Sequence, residues 1–212
     1  MKSKTLYFLR HGSTWLNEDL DRFCGRTDPS LSSTGINQIN KIALELKNIL
    51  TIDHIITSPL IRAVESTKII SGKLAAPYEV NSDIREIDFG DWEGLTKTEI
   101  KLKYPDLLRQ WFHSPDITIP PGGENPYDVV KRAISFRSQI MEKEGTILIV
   151  SHKTFLRIAL CEWLSIPMTN YRQIFSIHSG ALGCIHLDPM GNKLVFLNWT
   201  PSEDIFRLME ND

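Results

Sequence analysis

Short apolar runs alternate along this chain with longer segments in which apolar residues recur at helical spacing. Three such runs, at residues 5–9, 54–57 and 146–150, are each followed by a helical pattern. Strands that are joined by helices pair in parallel, because each connection must cross a face of the sheet. The alternation therefore predicts an α/β fold, a three-layer sandwich with a mostly parallel central sheet and helices on both faces.

Five segments have the apolar spacing of an amphipathic helix. They cover residues 36–50, 59–74, 96–112, 125–142 and 155–164. Ser33 or Thr34 is expected to cap the first of these helices. Pro59 is expected near the first turn of the second, where proline is tolerated. The third is expected to break around Tyr104 and Pro105, because proline does not fit inside a helix.

The end of the chain predicts a different strand arrangement. Apolar segments at 181–187 and 194–197 flank a turn with proline and glycine at 188–192. This pattern predicts a hairpin, which would give the sheet an antiparallel edge. Residues 84–94 are punctuated by glycine and predict a loop. No repeat or linker divides the chain, so a single domain over residues 1–212 is expected.

Charge and composition exclude several kinds of partner. The formal net charge is −2 over 212 residues, whereas nucleic-acid-binding proteins carry a basic surplus, so no nucleic acid is expected. No run is long enough to span a membrane and the N-terminus lacks a secretory apolar core, so no membrane partner is expected. Cys24, Cys161 and Cys184 lie far apart and show no metal spacing. These features predict a cytoplasmic protein.

Cationic and imidazole side chains follow three of the predicted strands. Arg10, His11 and Gly12 end the first strand, Arg62 lies in the first turn after the second, and His152 follows the most hydrophobic one. Ligands of open α/β sheets bind at the carboxyl ends of the strands. We therefore expect these groups to meet at one edge of the sheet.

Phosphoryl transfer to a histidine explains this choice of residues. Arginine forks bind phosphate oxygens bidentately, so Arg10 and Arg62 suit a doubly charged monoester. His152 would donate to a further oxygen. A neutral His11 could accept the phosphoryl group if its other ring nitrogen donates to a backbone carbonyl. The transfer itself consists mainly of positioning and charge stabilisation.

Four blocks together resemble branch 1 of the histidine phosphatase superfamily, the phosphoglycerate-mutase-like enzymes. The blocks are Arg10-His11-Gly12, residues 57–63, residues 84–94 and Ser151-His152. The resemblance covers essentially the whole chain. It implies that His11 is the nucleophile, that Glu86 is the proton donor, and that Arg10, Arg62 and His152 bind phosphate, with no cofactor and no metal.

The resemblance also implies a pocket and two departures from the family pattern. Asn17, Cys24 and Gly25 would line the phosphate pocket, partly through main-chain groups. Lys153 stands where the family has a glycine, and His178 stands where it has a small polar residue. Lys153 is either a solvated side chain or a reader of a second anionic group on the substrate, with His178 assisting.

Only residues 95–121 separate the Glu86 block from the Gly-Gly-Glu part of the Pro-Gly-Gly-Glu turn at residues 121–124. Glycolytic mutases of the family carry a long insertion there, so the compact length resembles phosphatases, including α-ribazole-5′-phosphate phosphatase. The sequence therefore predicts a phosphatase of a small phosphorylated metabolite. A mutase, a catalytically degenerate phospho-ligand binder and a metal-dependent hydrolase are the alternatives, and a homodimer stays open as the oligomeric state.

Overall fold

A six-stranded sheet organises the chain. The computed structural model describes residues 3–18 and 22–201. In chain order the strands are β1 (Lys4–Arg10), β2 (His54–Thr57), β3 (Tyr78–Val80), β4 (Ile147–Ser151), β5 (Leu182–Leu187) and β6 (Lys193–Trp199). They lie across the sheet in the order β3-β2-β4-β1-β5-β6.

The register of the sheet brings the ends of three strands to one level. Strands β3, β2, β4 and β1 are parallel, and β5 and β6 continue the sheet antiparallel. Arg10 pairs with Ser151 on β4, and Thr57 pairs with Val150. The predicted mostly parallel sheet with an antiparallel edge is confirmed.

Helices cover both faces of the sheet. Within the described residues they are α1 (Trp15–Glu18), α2 (Ser33–Ile49), α3 (Ile61–Leu74), α4 (Lys97–Lys103), α5 (Pro105–His113), α6 (Pro126–Met141), α7 (Lys153–Trp163) and α8 (Tyr171–Ile174). Helix α2 packs with α3, and α6 packs with α7. The predicted three-layer sandwich is confirmed.

Side-chain alternation along the central strands builds two cores. On β4, Ile147 and Ile149 belong to a core with residues of α6 and α7. Leu148 and Val150 belong to a second core with residues of α2 and α3. All four side chains are fully buried, because successive residues of a strand point to opposite faces. This two-sided burial explains the continuous apolar run of the sequence.

Several local predictions need correction. Ser32, rather than Ser33 or Thr34, caps α2, since its side chain accepts the N–H of Gly35. Pro59 precedes α3, which begins at Ile61. The sequence also did not predict β3, α1 or α8. All three residues of β3 are exposed, so they carry no apolar pattern.

Other boundaries agree with the sequence. Tyr104 separates α4 from α5, as the proline at 105 predicts. Asn125 caps α6 through the N–H of Tyr127. The predicted loop at 84–94 contains a short 3₁₀ turn at Gly90–Trp92, and another turn, Ser82–Ile84, ends at its first residue.

Within residues 3–18 and 22–201, no helix is both long and apolar enough to cross a bilayer.

Candidate active site

His11 lies just beyond the end of β1, at the carboxyl edge of the sheet. Its N–H donates to the carbonyl of Ser151 at 3.0 Å, so the β1–β4 ladder continues into the site. Gly12 comes next and packs closely against α2. A Cβ on Gly12 would lie 2.5 Å from the carbonyl oxygen of Gly35. Glycine at this position therefore lets the strand end pack directly against the helix.

The His11 ring is buried and held through both nitrogens. Nδ1 lies 2.7 Å from the carbonyl oxygen of Gly12, to which its proton is donated. Nε2 accepts a hydrogen bond from Nε of Arg62 at 3.2 Å. Burial, then Arg62, then Arg10 lower the pKa of His11 well below its usual range. The imidazole is therefore neutral, with the lone pair of Nε2 directed at the cationic side of the site.

Arg62 reaches His11 from the first turn of α3 and is fully buried. Its terminal nitrogens donate to the carbonyls of Thr27 and Gly25, each at 2.9 Å. Asp28 lies 3.7 Å away and also accepts the N–H of Ile61 at the start of α3. The guanidinium is thus fixed by backbone carbonyls of one loop.

Arg10 is the second guanidinium of the site. It ends β1, is buried, and donates from Nη1 to the carbonyl of Ile177 at 2.8 Å. Gly180 donates its N–H to the carbonyls of Arg10 and His11, at 3.0 and 3.1 Å. The segment before β5 therefore supports the strand end that carries both residues.

His152 follows β4 and is fully buried. Its ring centroid lies 5.0 Å from that of His11. Nε2 lies 2.6 Å from Oγ of Ser58, whereas Nδ1 has no hydrogen-bond partner within the described residues. Burial, followed by Arg62, His11 and Arg10, lowers the pKa of His152 well below its usual range. A neutral His152 with its proton on Nδ1 can donate to a ligand oxygen.

Glu86 is buried, and its carboxylate lies against the N-terminus of α7. Its Oε1 accepts the N–H groups of Ile87 and Phe155, and its Oε2 accepts that of Thr154, each at 2.9 Å. The helix N-terminus supplies two of these donors, which is a favourable place for a carboxylate. The loop residue predicted as the proton donor is thus attached to the helix that begins after His152.

A bidentate ion pair holds the loop in front of Glu86. Arg132 on α6 binds both carboxylate oxygens of Glu124, at 2.9 and 3.0 Å. The same guanidinium donates to the carbonyls of Arg85, at 3.0 Å, and of Asp83. The glutamate of the Pro-Gly-Gly-Glu turn therefore helps to place the proton donor, a role that the sequence did not predict.

A cavity of about 220 Å³ opens over this edge of the sheet. Its lining is strongly basic: it includes Arg10, Arg22, Lys97, Lys153, Arg157 and Arg172. Among the lining residues that the structure describes, Glu86 is the one carboxylate, and Phe23, Phe89, Trp111 and Tyr171 contribute aromatic rings. Such a lining favours an anionic ligand.

The predicted pocket residues divide into two groups. Asn17, Cys24 and Lys153 line the cavity, whereas Gly25 and His178 are not part of its lining. His178 is exposed and hydrogen-bonds Ser176. Burial raises the pKa of the Cys24 thiol to about 11, so it stays protonated. The structure thus brings together the predicted catalytic set but leaves His178 outside it.

The aromatic wall of the cavity was absent from the sequence-based prediction. The guanidinium carbon of Arg172 lies 3.3 Å from the ring centroid of Trp111, and its Nη1 donates to the Trp111 carbonyl. Burial lowers the pKa of Arg172 to about 10. Trp111 and Arg172 lie on α5 and α8, and no sequence pattern links those two helices.

In the part of the chain that the structure describes, no group of three or more His, Cys, Asp or Glu side chains is arranged to hold a metal ion.

Known proteins resemble this chain in sequence and in fold. The family model of the histidine phosphatase superfamily (branch 1) matches residues 6–200. A bifunctional protein of Mycobacterium tuberculosis is 36% identical over 185 residues, which are 86% of this chain and 47% of that protein. The chain therefore spans about half the length of this relative.

Relatives of similar length carry different names. Phosphoserine phosphatase 1 of Hydrogenobacter thermophilus is 28% identical over 197 residues, covering 92% of each chain. A 2,3-bisphosphoglycerate-dependent phosphoglycerate mutase of Bradyrhizobium is 32% identical over 168 residues, covering 74% of this chain and 79% of the mutase. The crystal structure of the alpha-ribazole phosphatase from Shigella flexneri superposes with a TM-score of 0.82 at 24% identity, covering 92% of this chain and 96% of that one. This last likeness concerns the fold.

Proposed function

The chain belongs to the histidine phosphatase superfamily (branch 1), and from this premise we propose that it is a phosphatase of small phosphomonoesters that works through a phosphohistidine on His11. One observation carries the proposal. Nε2 of His11 is a neutral acceptor, fixed by the Nδ1 contact to Gly12 and flanked by the guanidinium of Arg62. A nucleophile needs such an aimed, unprotonated atom.

The surrounding charges suit the phosphoryl group. Arg10 and Arg62 place two positive charges beside His11, and Nδ1 of His152 would donate to one of the phosphoryl oxygens. These groups are buried, so their attraction for an anion is stronger than it would be in water. In the first step the bond from phosphorus to the ester oxygen breaks as the bond to Nε2 forms.

Glu86 is proposed to move the proton in both steps. Its carboxyl group would protonate the departing alkoxide and then, as a carboxylate, accept a proton from the water that hydrolyses the phosphohistidine. This sequence returns His11 and Glu86 to their initial states and releases inorganic phosphate. It needs no metal and no cofactor, so a chelator should leave the activity unchanged.

The substrate is proposed to carry a second anionic group. Lys153 at the start of α7 and Arg157, one helical turn further on, both line the cavity. A cation at a helix N-terminus is unfavourable by about 0.3–1 kcal/mol. A carboxylate or second phosphate on the substrate would offset that cost.

A mutase is the second candidate, because a relative of comparable length is named a phosphoglycerate mutase. The phosphatase is preferred here because the relative named a phosphoserine phosphatase aligns over 92% of both chains, whereas the mutase aligns over 74% of this chain and 79% of its own. A mutase would transfer the phosphoryl group back to an isomeric product. Release of inorganic phosphate, rather than isomerised ester, distinguishes the two activities.

The proposal is tested by replacing the nucleophile. His11→Ala should abolish phosphate release from a panel of phosphorylated metabolites, because Nε2 of His11 is the proposed acceptor of the phosphoryl group in the first step. The parent protein should yield an acid-labile phosphoenzyme on rapid quenching. His54→Ala, at an exposed position on β2, is the matched control and should keep full activity. Substantial turnover by His11→Ala would show that His11 is not the nucleophile.

A further inference from the structure

The carboxylate of Glu93 accepts hydrogen bonds from four backbone N–H groups. Gly25 donates at 3.1 and 3.0 Å to its two oxygens, Arg26 at 2.8 Å and Thr27 at 3.0 Å. Phe89 donates the fourth at 3.0 Å. Three consecutive N–H groups of one loop thus converge on a single side chain, so Glu93 fixes the conformation of residues 24–27.

The opposite side of the same loop binds Arg62. The carbonyls of Cys24 and Gly25 accept from its Nη2 at 3.4 and 2.9 Å, and that of Thr27 accepts from Nη1 at 2.9 Å. In a planar trans peptide the N–H and the C=O point in opposite directions. Two peptide units, 24–25 and 25–26, are therefore held between Glu93 on one side and Arg62 on the other.

Gly25 permits this arrangement. A Cβ at this position would lie 2.2 Å from the carbonyl oxygen of Ile87 and 2.3 Å from Oε1 of Glu93. A real side chain cannot fit at such distances, so the loop packs against the Glu93 segment as closely as its backbone allows. The contact is therefore rigid rather than a loose surface pairing.

We propose that Glu93 is a positioning residue that fixes the 24–27 loop and thereby aims the Arg62 guanidinium at Nε2 of His11. The chain of contacts is continuous: Glu93 binds the loop, the loop binds Arg62, and Nε of Arg62 donates to Nε2 at 3.2 Å. The inference rests on the proposed function, because it takes His11 as the phosphate acceptor.

The position of Arg62 also affects the pKa of His11. The groups that face His11 are Arg10 at the end of β1, Arg62 on α3 and His152 before α7. After burial, Arg62 is the largest cause of the lowered pKa of His11. Withdrawal of the guanidinium would therefore raise that pKa towards its usual value.

The test is Glu93→Gln, which puts an amide NH₂ against the loop N–H groups in place of one acceptor oxygen. We expect kcat/KM to fall about 10²-fold, the loss typical of a misplacement of about 1 Å. The acid limb of its pH profile should move to higher pH, because His11 must be neutral to react. The imidazole resonances of His11, followed by NMR, should titrate at higher pH than in the parent. Glu65→Gln is the matched control. Glu65 lies on α3, the helix that carries Arg62, and its carboxylate also accepts a backbone N–H, that of Leu31.

An unshifted His11 titration in a folded Glu93→Gln protein would overturn the proposal. If that variant does not fold, Glu93→Asp keeps the charge and retracts the carboxylate, and a folded Asp variant must show a His11 shift in the same direction. The NMR titration needs no turnover. It therefore reports on positioning even if activity of His11→Ala disproves the proposed function.

Discussion

At the scale of the residue, the hydrogen bonds of Glu86 indicate which of its two carboxyl oxygens can carry a proton. A carboxylate has about four acceptor positions, and three are taken by the N–H groups of Ile87, Thr154 and Phe155. Oε1 accepts two of these bonds and Oε2 accepts one. The remaining position lies on Oε2, so this oxygen is the atom that can carry the proton given to the leaving group.

Glu86→Gln should therefore slow the first step according to the leaving group. For sugar or alkyl phosphates we expect a loss of about 10²- to 10⁴-fold in the rate of phosphoenzyme formation, because the alkoxide leaves without a proton. An activated aryl phosphate should lose much less. Single-turnover quench measurements on both esters check this. Asp91→Asn, at an exposed site in the same segment, is the control, and equal losses for the two esters would remove Glu86 from the role of proton donor.

At the scale of the element, α7 contacts two of the residues that are proposed to act in catalysis. His152 is its N-cap, and the N–H groups of Thr154 and Phe155 in its first turn bind Glu86. Lys153 lies between them and lines the cavity. The first turn of one helix therefore joins the phosphate site to the outer, basic part of the cavity.

Replacing that lysine tests the second anionic group. Lys153→Gly should raise KM for monoesters that carry a carboxylate or second phosphate, and should leave simple aryl phosphates unchanged. Thermal unfolding should be compared in parallel, because glycine also lowers the stability of a helix by roughly 0.5–1 kcal/mol. If both substrate types respond equally, the side chain is a solvated surface charge.

The elements show which features the sequence could predict. Strands β1 and β4 lie inside the sheet, so their sequences are short continuous apolar runs that predict strands. His11 and His152 follow these runs, and this position marked them as candidate site residues. Strand β3 is exposed and left no pattern. The contact between Trp111 and Arg172 was also not predictable, because it depends on how two separate helices meet.

Glu93 falls between these cases. It belongs to a block that resembles the family, but its role depends on N–H groups of residues 25–27, more than sixty positions earlier in the chain. Local sequence carries no information about such a pairing. The residues that are proposed to bear the chemistry could therefore be predicted from the sequence, whereas the contacts of Glu93 with residues 25–27 could not.

At the scale of the whole molecule, two buried neutral imidazoles link stability to pH. The pKa values of His11 and His152 are both lowered in the folded protein, while an unfolded histidine titrates near about 6.5. Below that pH the unfolded chain binds protons that the folded one does not. These two groups therefore make the free energy of unfolding decrease as the pH falls below about 6.5, until the lowered folded-state pKa is reached.

We expect each imidazole to contribute up to about 1.4 kcal/mol per pH unit in this window. Urea unfolding of the parent from about pH 8 to about pH 5 measures the slope, and His11→Gln should reduce it by one histidine's share. His54→Gln removes an imidazole from an exposed position on β2 and is the control for the substitution itself. A His11→Gln slope equal to the parent's would contradict a neutral, buried His11.

The two walls of the cavity have different origins in the fold. One wall contains Arg10 at the end of β1, Glu86, and Lys153 and Thr154 at the start of α7, whereas Trp111 and Arg172 come from the short helices α5 and α8. Changes in those short helices can alter what the outer cavity accepts without disturbing Arg10, His11, Arg62 or His152. In evolution, this arrangement allows the substrate to change while the proposed reaction stays the same.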